Sequence, residues 1–81
     1  MPRFYFDMRE DAAFVADAEG EDCADLDAAE RTACETAAEL GRNLLPSGRT
    51  RKVIIEVKND KRQRVLTVTV SLELNRVHPA P

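Results

Sequence analysis

The chain has 81 residues, which is enough for one domain with a small hydrophobic core. Its hydrophobic fraction of 43% and its charged fraction of 33% are typical of a folded globular protein and exclude a disordered chain. No apolar run reaches the roughly 18 residues of a membrane span, and the N-terminus lacks the apolar segment of a signal peptide. We therefore expect a small, soluble, cytoplasmic protein that does not contact a membrane.

The net charge of −3 is unevenly distributed along the chain. Residues 1–48 carry four basic and twelve acidic side chains, whereas residues 49–81 carry eight basic and three acidic ones. The first part is therefore strongly acidic and the second part basic.

A hairpin is predicted at the start of the chain. Residues 3–9 alternate, which indicates a strand with one buried face, formed by Phe4, Phe6 and Met8. A short polar turn follows, and residues 14–17 are predicted to return as a second strand. The inward side chains of this second strand are either Phe14 and Ala16 or Val15 alone, and the alternation leaves both registers open.

A helix is predicted after an acidic turn in which Asp17 and Gly20 supply the turn chemistry. Asp25 is a suitable N-cap for a helix that begins at Leu26, and Asp27 is an alternative cap. One helix face is apolar and consists of Leu26, Ala29, Ala33, Ala37, Leu40 and Leu44. Residues 46–48 (Pro-Ser-Gly) end the helix, unless Gly41 ends it earlier.

The second half predicts another hairpin, formed by residues 52–58 and 65–74 around a polar loop. One register brings the large aliphatic side chains together by pairing Val57 with Leu66, Ile55 with Val68 and Val53 with Val70. The opposite face pairs Ile54 with Thr69 and Glu56 with Thr67, and we expect it to be solvated. The prediction is therefore an α+β fold of order ββαββ, a two-layer sandwich in which one helix covers a four-stranded antiparallel sheet. Residues 1–75 form this domain, and residues 76–81 are expected to be a flexible tail.

Several short motifs occur in an order that resembles a known family. These motifs are the opening run of residues 1–7 (MPRFYFD), the acidic turn of residues 17–20 (DAEG), the helix start of residues 25–29 (DLDAA) and the hairpin of residues 57–70. Together they resemble DUF6894, a family of small proteins of unknown function from rhizobia and related alphaproteobacteria. The resemblance implies the order of the elements and no activity or ligand. Where that family often has a His after the aromatic residues, this chain has Asp7.

No arrangement of residues indicates catalysis. The single histidine, His78, lies in a Pro-flanked tail that is poorly suited to holding a catalytic base. Cys23 is flanked by acidic residues that oppose thiolate formation, and Cys34 is expected to be a half-buried small side chain on the helix. The acidic residues between Asp17 and Asp27 do not have EF-hand spacing. We therefore expect no enzyme activity, no metal and no cofactor.

A non-catalytic protein-interaction module is the function that these features favour. The last predicted strand extends past its partner and leaves Leu72 and Leu74 without neighbours, beside Arg51 and Lys52. These four residues are the candidate partner surface. The partner would be another protein or a second copy, bound through a sheet edge or by attraction between the acidic and basic halves.

Nucleic-acid binding is the alternative hypothesis. Four basic residues around the tip of the second hairpin would contact phosphates, namely Lys58, Lys61, Arg62 and Arg64. The sequence pI of about 5.1 and the absence of aromatic residues in this half make the alternative less favoured.

Overall fold

The computed structural model describes residues 1–77, so that His78 and most of the predicted tail lie outside the described residues. One helix packs on one face of an antiparallel sheet, which confirms the predicted α+β class. The elements in chain order are β1 (Arg3–Glu10), β2 (Ala13–Val15), β3 (Glu21–Asp22), α1 (Leu26–Leu44), β4 (Lys52–Lys58) and β5 (Arg64–Ser71). The two-residue strand β3 was not predicted, and it raises the number of described strands from four to five.

The main sheet has the strand order β2-β1-β4-β5, and β3 pairs with β1. The register predicted for the second hairpin is confirmed, because Val57 lies opposite Leu66, Ile55 opposite Val68 and Val53 opposite Val70. A β-bulge between Val57 and Lys58 follows this register at the hairpin tip. The two hairpins join through β1 and β4, which are antiparallel and place Phe6 opposite Val57.

The register of the first hairpin places Met8 opposite Val15 and Arg9 opposite Phe14. Because opposed residues share a face, Val15 lies on the helix side and Phe14 on the outer side of the sheet. Neither side chain is buried, with exposed fractions of 55% for Val15 and 43% for Phe14. Val15 is exposed because α1 packs over β4 and β5 and not over β2. Phe14 lies on the face of the sheet that α1 does not cover, with the Arg9 guanidinium over its ring.

Helix α1 begins as predicted from Asp25, whose carboxylate accepts the N–H of Ala28 at 2.8 Å. Its buried stripe consists of Ala29, Ala33, Ala37 and Gly41, and these small residues allow the helix to approach the sheet closely. Gly41 does not end the helix, which continues to Leu44 and then tightens into a 3-10 turn over Leu45–Ser47. Leu26, predicted in the apolar stripe, is 45% exposed at the helix start.

Strand β5 ends at Ser71, so the prediction of a strand that continues to residue 74 was wrong. Ser71 lies opposite Lys52, the first residue of β4. Beyond this point no described strand supplies hydrogen-bond partners, and the chain leaves the sheet as an irregular segment.

Candidate interaction surface

Strand β5 forms one edge of the sheet. Its inner side pairs with β4, and within residues 1–77 no strand pairs with its outer side. An unpaired edge presents backbone N–H and C=O groups that an additional strand can bind. At eight residues, β5 is as long as β1, the other longest strand of the sheet.

The segment after β5 adds apolar surface beside this edge. Leu72 is 55% exposed and Leu74 is 78% exposed. Both line an open groove whose other walls come from the end of the helical region and the start of β4, namely Leu45, Pro46, Gly48, Thr50 and Arg51. Lys52 is exposed opposite Ser71 at the same end of the sheet. The structure thus brings together all four residues of the candidate partner surface.

The opposite edge of the sheet, along β1, is covered. Strand β3 pairs with Arg3 and Phe4, and β2 pairs with residues 8–10 of β1. Between these two ladders the carboxylate of Asp17 accepts the N–H of Phe6 at 3.0 Å. A side chain therefore takes the place of a strand at the middle of this edge.

Asp17 also organises its own loop, as the sequence predicted. Its carboxylate accepts the N–H groups of Glu19 at 3.2 Å and Gly20 at 3.0 Å. Gly20 has a φ of 74°, in the left-handed region where glycine is favoured. Burial raises the pKa of Asp17, but the N–H groups of Phe6, Gly20 and Glu19 outweigh burial and hold the pKa below its usual value.

The outer face of the sheet is less solvated than predicted. Asp7 and Glu56 lie opposite each other on this face and are 1% and 8% exposed. The ammonium of Lys58 lies 2.6 Å from the Asp7 carboxylate, and Nε of Arg9 lies 3.2 Å from the Glu56 carboxylate. The four side chains form two ion pairs that cross between β1 and β4, and we call them the charge quartet.

The charge quartet is joined to the acidic loop through Asp7. The N–H of Asp17 donates to the Asp7 carboxylate at 2.8 Å. Burial raises the pKa of Asp7, but the hydrogen bonds from Lys58 and Asp17 outweigh burial and lower the pKa below its usual value. Asp7 is therefore a charged structural group at neutral pH.

The four candidate phosphate contacts are in two different situations. Lys58 is bound to Asp7 within the charge quartet, and the guanidinium carbon of Arg62 lies 3.7 Å from the centre of the Tyr5 ring. Arg62 has a φ of 62°, and this turn conformation brings its side chain over the ring. Lys61 and Arg64 are exposed at the hairpin tip.

The two cysteines are free thiols in different environments. Cys23 is buried, and burial together with the carboxylates of Glu21, Asp22 and Asp25 raises the pKa of its thiol. A raised pKa keeps the thiol protonated, and a protonated thiol is a poor nucleophile. Cys34 is exposed, so the prediction of a half-buried side chain was wrong, because the helix turns this position away from the sheet.

Within residues 1–77 no group of His, Cys, Asp and Glu side chains is arranged to hold a metal ion. Within the same residues no helix is both long and apolar enough to cross a membrane.

The sequence identified the exposed apolar segment but missed the features that cover the other edge and the outer face. The charge quartet depends on the pairing of β1 with β4, which are separated by more than 40 residues. The only sequence signal was the charge pattern itself, with Asp7 and Arg9 in one alternating run and Glu56 and Lys58 in another. That pattern predicts ion pairs only after the pairing is known.

Comparison with known proteins gives a family and no activity. A family model described as "Domain of unknown function (DUF6894)" matches residues 3–71, which include all five strands and the helix. We found no significant match among curated proteins or among solved structures.

Proposed function

The chain belongs to the DUF6894 family, and we propose that this member is a non-catalytic protein-interaction module that associates with a second copy through the outer edge of β5. The observation that carries the proposal is an open edge strand of eight residues followed by the exposed side chains of Leu72 and Leu74. Pairing along this edge would supply partners to backbone groups and remove apolar surface from water.

The contrast between the two sheet edges favours a closed dimer. Pairing between two different open edges continues without end unless it closes into a ring, because each added copy exposes another edge. Here the β1 edge is covered by β2, β3 and the Asp17 carboxylate, so that only β5 offers a long unpaired strand within residues 1–77. Two copies that pair β5 with β5 would use both open edges.

Attraction between the acidic and basic halves is the other route to self-association. Several of the charges concerned are already paired within one molecule, including the Asp7–Lys58 and Arg9–Glu56 pairs of the charge quartet. This internal pairing leaves fewer charges for a partner, and we therefore place the contact at the β5 edge.

Sedimentation velocity or light scattering tests the proposal over concentrations from about 10 μM to about 1 mM, the range suited to a weak contact. We expect a dimer that persists in 0.5 M NaCl, because salt screens charge attraction and not apolar burial. Replacing both Leu72 and Leu74 with Asp should give a monomer. Val77→Asp is the matched control, because Val77 is also an exposed apolar residue but lies outside the groove.

Two results would overturn the proposed contact. A strict monomer at about 1 mM would exclude self-association in the affinity range of a weak interface. A dimer that dissociates in 0.5 M NaCl and is unaffected by the Leu72 and Leu74 substitutions would place the contact between the acidic and basic halves instead.

Nucleic-acid binding at the second hairpin is the alternative, supported by the exposed Lys61 and Arg64. We prefer protein interaction because Lys58 and Arg62 are engaged with Asp7 and Tyr5. A fluorescence titration with single-stranded RNA and duplex DNA at low salt decides between them. Salt-sensitive binding that is weakened by Lys61→Glu with Arg64→Glu would establish the alternative. Binding that is unchanged in this variant, or no binding, would exclude it.

A cytoplasmic location is also part of the proposal. The two unpaired thiols Cys23 and Cys34 support it, because reducing compartments keep cysteines unpaired. Fractionation of the native host with immunoblotting tests the location, and recovery in an extracytoplasmic fraction would overturn it.

A further inference from the structure

We propose that the β5 edge pairs with its own copy in one register, with Thr69 opposite Thr69 of the second molecule on a two-fold axis. This inference rests on the proposed function and deepens it, because it specifies how the two copies meet. It follows from the faces of β5, the positions of its apolar residues and the charges at its two ends.

The faces of β5 limit the registers. Leu66, Val68 and Val70 lie on the helix side, since they are opposite Val57, Ile55 and Val53, whereas Thr67 and Thr69 lie on the outer side. Directly opposed residues of an antiparallel pair share a face. A two-fold axis perpendicular to the sheet therefore places one residue opposite its own copy and keeps both helices on the same side of a continuous sheet.

The apolar residues favour Thr69 as the residue on the axis. In this register Val68 faces Val70 of the second copy, and Leu66 faces Leu72. The half-buried Leu66 and the exposed Leu72 then cover each other twice, once on each side of the axis. Within residues 1–77 Leu72 has no strand partner, because β5 ends at Ser71. In the proposed dimer residues 72 and 73 extend β5 along the second copy, so that Leu72 gains a strand partner.

Charge complementarity supports the same register. The bulge in the β4–β5 ladder pairs Lys58 with Arg64 and Val57 with Leu66, so that Arg64 and Val65 share one position on the strand. With Thr69 on the axis, Glu73 of the second copy lies opposite this position and within reach of Arg64. The contact is repeated by symmetry and gives two ion pairs at the rims of the interface.

The neighbouring registers lose the Arg64–Glu73 contact. Val68 on the axis places Arg64 opposite Ser71 and Leu66 opposite Val70, so that Leu72 also loses its aliphatic partner. Val70 on the axis places Leu66 opposite Leu74 but Arg64 opposite Asn75, so that no opposite charges meet at the rims. Of these three registers, the one with Thr69 on the axis pairs Leu66 with Leu72 and also brings Arg64 near Glu73.

Single cysteines measure the register directly. The background is Cys34→Ser, because Cys34 is exposed and Cys23 is buried. Thr67→Cys, Thr69→Cys and Ser71→Cys are made separately at exposed outer-face positions of β5. Opposed Cα atoms lie about 4.5–5.5 Å apart, within disulfide range, whereas a residue two positions from the axis lies roughly 13 Å from its own copy.

We expect mild oxidation to cross-link Thr69→Cys and neither Thr67→Cys nor Ser71→Cys alone. A mixture of the Thr67→Cys and Ser71→Cys variants should cross-link, because this register opposes those two positions. Glu73→Arg should weaken the dimer about three- to tenfold, and adding Arg64→Glu should restore it, as expected for exposed ion pairs present in two copies.

The possible results separate this inference from the proposed function. A dimer in light scattering that cross-links at Thr67→Cys or Ser71→Cys alone, or at none of the three positions, would overturn the register and leave self-association intact. A monomer under all conditions would overturn both.

Discussion

Asp7 and Glu56 face each other across β1 and β4, an arrangement of like charges that destabilises a sheet unless each is neutralised. Lys58 and Arg9 neutralise them from diagonal positions, at distances of 2.6 and 3.2 Å. Asp7 is the more deeply buried of the two acids and also accepts the N–H of Asp17. Its charge therefore holds together the sheet and the acidic loop.

We predict that Asp7→Asn lowers the free energy of unfolding by about 2 kcal/mol at pH 7, the scale of a hydrogen bond to a charged group. Asparagine preserves the size of the side chain but leaves the Lys58 ammonium without a counter-charge. Urea unfolding followed by circular dichroism measures the loss. Asp60→Asn is the control, because Asp60 is exposed in the hairpin loop.

The stability that Asp7→Asn removes should become smaller as the pH falls. The pKa of Asp7 in the folded protein lies below its usual value of 3.8, so the charged carboxylate stabilises the fold above that value. This contribution disappears as the pH falls through the lower, folded-state pKa. The difference between wild type and Asp7→Asn should therefore shrink in acid. An equal difference at pH 7 and pH 2.5 would show that the ion pair is not its source.

At the scale of elements, helix and sheet approach each other closely at Gly41. A Cβ atom added to this residue would lie 2.8 Å from Cγ1 of Val70 on β5. The small residues Ala29, Ala33 and Ala37 continue the same stripe toward the start of the helix. The close packing of α1 on β4 and β5 thus requires small residues along this stripe.

We predict that Gly41→Ala destabilises the protein by about 1 kcal/mol. Overpacking costs about 1–3 kcal/mol, and the better helix propensity of alanine returns about 1 kcal/mol. In a Val70→Ala background the clash is removed, so the same substitution should be neutral or stabilising. Thermal or urea unfolding of the four proteins gives the interaction energy. A gain in stability in the wild-type background would contradict the packing argument.

The elements differ in how far the sequence predicts them. The β4–β5 register follows from alternating aliphatic residues separated by a short loop, and the helix start follows from Asp25, because both signals are local. The pairing of β1 with β4 is not local, so the burial of Asp7 was not predicted. The two-residue β3 was missed because it lacks alternation and depends on β1 for its conformation.

At the scale of the whole molecule, the two long edges of the sheet have opposite properties, one covered and one open. Leu72 and Leu74 are exposed, as their position beyond the predicted partner strand suggested. The covering of the other edge was not foreseen, because it depends on the Asp17 side chain binding a distant backbone N–H. Sequence patterns predict which faces are apolar. They do not predict a hydrogen bond between a side chain and a backbone group that is distant in the chain.

The proposed dimer predicts a thermal midpoint that rises with protein concentration. Association stabilises the folded state by mass action, and each kcal/mol raises the midpoint by about 4–8 °C in a domain of this size. Calorimetry at about 10 μM and about 1 mM should therefore show a rise of several degrees, over the range of a weak contact. The variant with Asp at Leu72 and Leu74 should have the same midpoint at both concentrations. A constant midpoint in the wild type would contradict association.

The side-chain bond from Asp17 to Phe6 has a consequence for local opening. The segment between β1 and α1 contributes only Cys23 to the buried core, and β1, β4, β5 and α1 supply the rest. It is otherwise held by two short ladders, by the bond from the Cys23 N–H to Pro2, and by the carboxylates of Asp7 and Asp17. Such a segment opens at lower free energy than the whole domain. Native-state hydrogen exchange should therefore show the Phe6 amide exchanging with the first loop, well before its neighbours along the β1–β4 ladder.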